Sequence, residues 1–125
     1  MREILFRGKG DTQYNDGDWY YGVPIQDDRN WQICTSFSKR VVLPNTIGEF
    51  IGRHDKNDKM IFEWDIVRAK LKGESEKLYI VKYHISALSF MLMDDTEQYY
   101  RVSAASSIEV LGNIWDNPEL LGGVS

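Results

Sequence analysis

Ile66-Val67-Arg68-Ala69-Lys70-Leu71-Lys72-Gly73-Glu74-Ser75-Glu76-Lys77-Leu78-Tyr79-Ile80-Val81-Lys82-Tyr83-His84 is the stretch whose reading decides the fold class. Apolar and charged residues alternate along its first part, which puts Val67, Ala69 and Leu71 on one face and Arg68, Lys70 and Lys72 on the other. Side chains of a strand point alternately to opposite faces, so the pattern predicts a strand with one wet face. Lys72 to Glu76 has the composition of a hairpin loop, and Leu78 to His84 predicts the returning strand.

The same period recurs outward in both directions. Upstream, the first of these strands is expected to begin at Ile61, after a polar turn over Arg53 to Lys59 and a strand over Thr46 to Phe50. Further back, Trp31, Ile33, Thr35 and Phe37 alternate, and Trp19 to Val23 and Met1 to Arg7 form two more strands. Turn residues separate them at Asn15-Asp16-Gly17, Asp27 to Asn30 and Pro44-Asn45. Downstream come strands at Leu88 to Met93, Tyr99 to Val102 and Ser107 to Ile114, with a helical turn at Ser103 to Ser106. Asn117-Pro118-Glu119 reads as a helix start that Gly122-Gly123 soon ends, and Gly123 to Ser125 is a frayed tail. Short, evenly spaced strands with almost no helical period predict a barrel or sandwich.

Composition bounds the rest. At 125 residues with 42% hydrophobic content, the chain is expected to form one domain around its own core. One cysteine makes no internal disulfide, and 13% aromatic content is too high for disorder. No apolar run approaches the ~18 residues of a membrane span, and no signal-peptide core follows Met1. A net charge of −4 argues against wholesale coating of nucleic acid or acidic membranes. The expectation is a soluble cytoplasmic protein with no membrane partner.

Three ordered blocks carry a family resemblance that periodicity does not supply. They are Met1 to Lys9 with Trp19-Tyr20-Tyr21-Gly22; Thr46-Ile47-Gly48-Glu49-Phe50-Ile51-Gly52 with Asp55-Lys56-Asn57, Ile61, Glu63 and Asp65-Ile66-Val67; and Glu109 to Ile114 with Asn117-Pro118-Glu119-Leu120-Leu121. In this order the chain resembles the YopX family of bacteriophage and prophage proteins. Two departures stand out: the family pattern usually has Asn-Gly where this chain has Asn57-Asp58, and Glu-Gly-Asp where it has Glu63-Trp64-Asp65. Asp tolerates the left-handed backbone of a tight turn, whereas Trp is costly there. The resemblance implies a β-rich fold of barrel-like character, a phage or prophage origin and homo-oligomerisation. The family has no established catalytic activity, so no functional residues carry over.

The expected architecture is therefore mostly β: a small, partly open, SH3-like pseudo-barrel over about residues 46–115. An N-terminal hairpin region over about 1–45 and a short C-terminal helical cap over 116–122 complete the single 1–125 domain.

Candidate chemistry is sparse. Asp55 to Lys59 opens like a calcium loop, but Met60 and Ile66 stand where its Gly and Glu belong, so a hairpin turn is the better account. Glu63 and Asp65 share a strand face on this register and would serve a metal-assisted hydrolase. Against that, such acids commonly accept hydrogen bonds from backbone N–H groups of the preceding turn. His54, His84 and Cys34 have no paired-ligand spacing, Cys34 lacks a catalytic signature, and no phosphate loop is present. No catalytic residue, metal site or cofactor is assigned. Arg68, Lys70, Lys72 and Tyr79 form a basic and aromatic strand face of the kind that binds single-stranded nucleic acid. Phe90, Met91, Leu92 and Met93 make a strand apolar on both sides, whose second face needs a cover. Trp64, Met91 and Met93 are candidates for oligomer or partner contact, and the Leu120-Leu121 turn is an internal alternative. The leading expectation is a non-enzymatic accessory protein that assembles with itself and binds a phage or host protein; nucleic-acid binding is the alternative.

Overall fold

The computed structural model of the protein describes residues 3–122, so Met1, Arg2 and the Gly123 to Ser125 tail lie outside the described residues. The strands are β1 (Phe6–Lys9), β2 (Trp19–Gln26), β3 (Trp31–Cys34), β4 (Lys39–Val42), β5 (Gly48–His54), β6 (Met60–Phe62), β7 (Asp65–Leu71), β8 (Glu76–His84), β9 (Ser89–Met93), β10 (Tyr99–Arg101) and β11 (Ala105–Asn113). The chain divides into two compact units, one ending at Gly52 and one beginning at Arg53.

In the first unit the antiparallel order is β4-β3-β2-β1-β5. The sheet curls: Leu43 N–H donates to the Lys9 carbonyl at 2.8 Å and Asp11 N–H to the Val41 carbonyl at 3.0 Å, bringing the ends of β4 and β1 together. Two side chains hold this curl. Buried Thr46 accepts the Lys9 N–H at 2.8 Å and donates to the Leu43 carbonyl at 2.6 Å. Asn15 donates to the Val41 carbonyl at 2.8 Å. The strands approach so closely that a Cβ at Gly22 would collide with the Cys34 carbonyl oxygen, which requires glycine at that position.

β5 runs on past Gly52, and β6 follows it through the Asp55 to Lys59 turn. The second unit holds a five-stranded antiparallel sheet in the order β10-β9-β8-β7-β11. Its inner face is the predicted one: Val67, Ala69 and Leu71 are buried together with Tyr79, Val81, Leu92 and Ile108. Each full burial of such an aliphatic side chain contributes roughly 1.5–3 kcal/mol.

Three expectations need correction. The strand expected from Ile61 to Leu71 is two strands, because Glu63 and Trp64 make a tight turn between β6 and β7. The helical cap is absent from the described residues: Pro118–Leu120 is one 3-10 turn with Asn117 at its start. Asn117 Oδ1 accepts the Asn113 N–H at 3.2 Å rather than capping the turn, so the side-chain cap that the sequence offered is not made. The strands form two antiparallel sheets that do not close into a barrel. On the outer edge of β11, the Asp55 carboxylate accepts the Val110 N–H at 2.8 Å and Lys56 N–H donates to the Ile108 carbonyl at 2.9 Å. A closing strand would need those same groups.

Candidate functional site

Two carboxylates that sequence placed near chemistry are committed to the backbone. Buried Asp55 accepts N–H groups of Asn57 and Lys59 on one oxygen and of Val110 on the other, each at 2.8 Å. Desolvation pushes its pKa up, but the N–H groups of Val110, Lys59 and Asn57 together outweigh this and hold it below the ordinary 3.8. Asp65, 1% exposed, accepts the Phe62 N–H at 2.8 Å across the β6–β7 turn. Glu63 sits in that turn rather than on a strand, so it and Asp65 do not share a strand face. The hairpin turn expected over Asp55 to Lys59 is present, with Asp55 at its base. Among the described residues, no three His, Cys, Asp or Glu side chains gather as a metal site.

Trp64 stands in the same turn at a left-handed φ of 76°. Its N–H donates to the Val81 carbonyl at 2.7 Å and its carbonyl accepts the Ile114 N–H at 3.1 Å. The half-buried ring meets Trp115 edge-on, with centroids 6.4 Å apart. Trp64 therefore ties three segments of its own unit together.

The outer face of the five-stranded sheet is where most remaining candidates fall. Register builds it in rows, since directly paired residues share a face. An apolar row crosses four strands as Ile66, Ile80, Met93 and Tyr99. On one side of it, Arg68 pairs with Leu78 and Glu109, and Lys70 with Glu76. On the other side, Met91 lies between Lys82 and Arg101. The predicted basic row is thus only partly assembled. Glu109 lies 3.5 Å from Arg68 and 3.7 Å from Lys56, neutralising the row at its centre. Lys72 lies beyond the end of β7 in the following turn. Tyr79 is on the opposite face, 2% exposed and packed edge-on against Tyr100 at 5.9 Å, so it presents no ring to a base. Arg101 joins the face without having been singled out; only pairing through Met91 reveals it.

Next to the apolar row lies a groove of about 590 Å³. Leu78, Ile80 and Met93 line it from the sheet, Leu120 and Leu121 from the C-terminal turn, and Asp94, Asp95 and Glu97 from the β9–β10 turn. Leu120 and Leu121 line the same groove as Met93, while Met91 lines a separate cleft with Phe90 and Arg101. Asp94 accepts hydrogen bonds from the N–H groups of Thr96 and Gln98, the Thr96 hydroxyl and the Tyr100 hydroxyl. Desolvation raises its pKa, and these donors override it to bring the value to about 2.

In the first unit, β2 presents Tyr21, Val23 and Ile25 outward, 46%, 57% and 46% exposed. Across β3 and β4 the row continues from Val23 to Cys34 and Lys39, and from Ile25 to Gln32 and Val41. Arg7, paired with Tyr21, is buried with its guanidinium 4.6 Å from the Trp19 ring centre. Sequence reasoning missed this row, because Tyr20 and Gly22 interrupt its alternation with residues that are not charged.

The YopX protein family model matches residues 6–122. Among solved structures, protein EF1440 from Enterococcus faecalis is similar, with a TM-score of 0.60 over 97% of this chain and 99% of that one. At 20% identity that likeness speaks for the fold alone. No curated protein matches the chain. A match from β1 to the C-terminal turn, on a chain whose sequence blocks run in the same order, means that this chain belongs to the YopX family.

Proposed function

We propose that this YopX-family protein is a non-catalytic accessory protein of a phage or prophage, acting in the bacterial cytoplasm by assembling with copies of itself and binding protein partners. One observation carries the self-assembly: Tyr21, Val23 and Ile25 line one exposed face of β2, three large side chains without charge in a row. Interface cores are depleted in charge and enriched in aromatic and aliphatic side chains, as this row is. A single self-complementary patch repeated on two chains yields a closed dimer.

The test is sedimentation velocity of the purified protein at micromolar concentration, beside Val23→Asp and Ile25→Lys variants. The expected result is a dimer or larger closed species for the natural chain and a monomer for each variant, with unchanged circular dichroism. A natural chain that sediments as a monomer overturns the proposal.

A further inference from the structure

The groove beside the five-stranded sheet combines three features that together specify an occupant. Its floor and wall are aliphatic: Leu78, Ile80, Met93, Leu120 and Leu121. Its acidic side is the β9–β10 turn with Asp94, Asp95 and Glu97. The lysine that borders it does not cancel this charge, because the Lys77 ammonium lies 3.3 Å from Glu74. Asp94 is fully occupied in holding its own turn, whereas Asp95 and Glu97 are exposed and enter no ion pair among the described residues. The charge left for a ligand thus sits on two neighbouring carboxylates at the end of an aliphatic trough. The volume of about 590 Å³ lies within the range of sites that enclose a few side chains.

We infer that this groove docks an exposed segment of a partner protein in which a lysine is flanked by aliphatic residues, the aliphatic side chains lying on Leu78, Ile80 and Met93 and the ammonium meeting Asp95 and Glu97. An anionic or uncharged segment would fill the trough without satisfying the turn. Electrostatic complementarity at the rim then sets which partner is accepted, and apolar burial holds it. The groove belongs wholly to the second unit, so the inference is independent of self-assembly through β2.

The test uses methyl-labelled protein and two capped tripeptides, acetyl-Leu-Lys-Leu-amide and acetyl-Leu-Glu-Leu-amide, titrated while the methyl resonances of Leu78, Ile80, Met93 and Leu120 are followed. The lysine peptide should shift these resonances saturably, at about fivefold lower concentration than the glutamate peptide, an advantage that shrinks as salt is raised. A double variant, Asp95→Lys with Glu97→Lys, should invert the preference; both positions are exposed, so folding is retained. Equal affinity for both peptides, shifts confined to other surfaces, or no shift by the lysine peptide overturns the inference. Sedimentation of the double variant should match that of the natural chain, which separates failure here from failure of the self-assembly proposal.

Discussion

Asp58 and Trp64 occupy the same left-handed backbone region, with φ of 67° and 76°, a conformation that favours glycine. Their surroundings differ. Asp58 is exposed in a turn closed by the Asp55 N–H to Lys59 carbonyl bond at 2.7 Å, and its own N–H donates to the Asp55 carbonyl at 3.0 Å. Trp64 is half-buried, with its backbone bonded to Val81 and Ile114 and its ring against Trp115. A left-handed residue other than glycine costs about 1–2 kcal/mol. At Asp58 the cost is small because a short polar side chain tolerates that conformation. At Trp64 it is offset by long-range hydrogen bonds and ring packing that leave the backbone no alternative. The same local strain is thus met by side-chain choice in one turn and by tertiary contacts in the other.

The largest effect should come from the base of the exposed turn. Asp55→Ala strands the N–H groups of Asn57, Lys59 and Val110, and should cost about 3 kcal/mol in urea unfolding. The loss should also depend on pH. The folded-state pKa of Asp55 lies below 3.8, so its contribution is complete above that value and disappears as pH falls through the lowered one. The stability gap between natural protein and variant should therefore be widest above pH 3.8 and narrow below it. Asp94, at about 2, makes the same contribution in both proteins, and so cancels in the comparison.

Next comes Trp64. Trp64→Ala keeps the left-handed cost and removes the ring, for a loss of about 2 kcal/mol. Trp64→Gly removes both ring and strain, and should be more stable than the alanine variant by about 1 kcal/mol. Thermal unfolding of the pair reads this inverted order; an alanine variant as stable as the glycine one would show that the turn has relaxed out of the left-handed region. The smallest change is expected for Asp58→Gly, within about 0.5 kcal/mol of the natural protein. There the relief of strain is balanced by the greater freedom of the unfolded chain.

Much of this was legible before any coordinates. The alternation of Val67, Ala69 and Leu71 against Arg68 and Lys70 matches burial residue by residue. The expectation that the acids at Glu63 and Asp65 serve backbone N–H groups holds for Asp65, through Phe62. The β6–β7 turn escaped because Trp64 carries no turn signal; its left-handed conformation is imposed by Val81 and Ile114, both distant in sequence. The charge balance of the basic face was not legible for the same reason. Glu109, which neutralises Arg68, and Arg101, which flanks Met91, reach that face only through strand pairing.

What the sequence determined by itself is which faces are apolar, where most strands lie, and which residues suit tight turns. Those properties depend on each residue's own side chain and on a period of two. Which charge faces which, that β11's edge is closed by Asp55, and that a groove forms under Leu120 were decided by tertiary structure. Register between strands is set by contacts between residues far apart in the chain, and no local pattern encodes it.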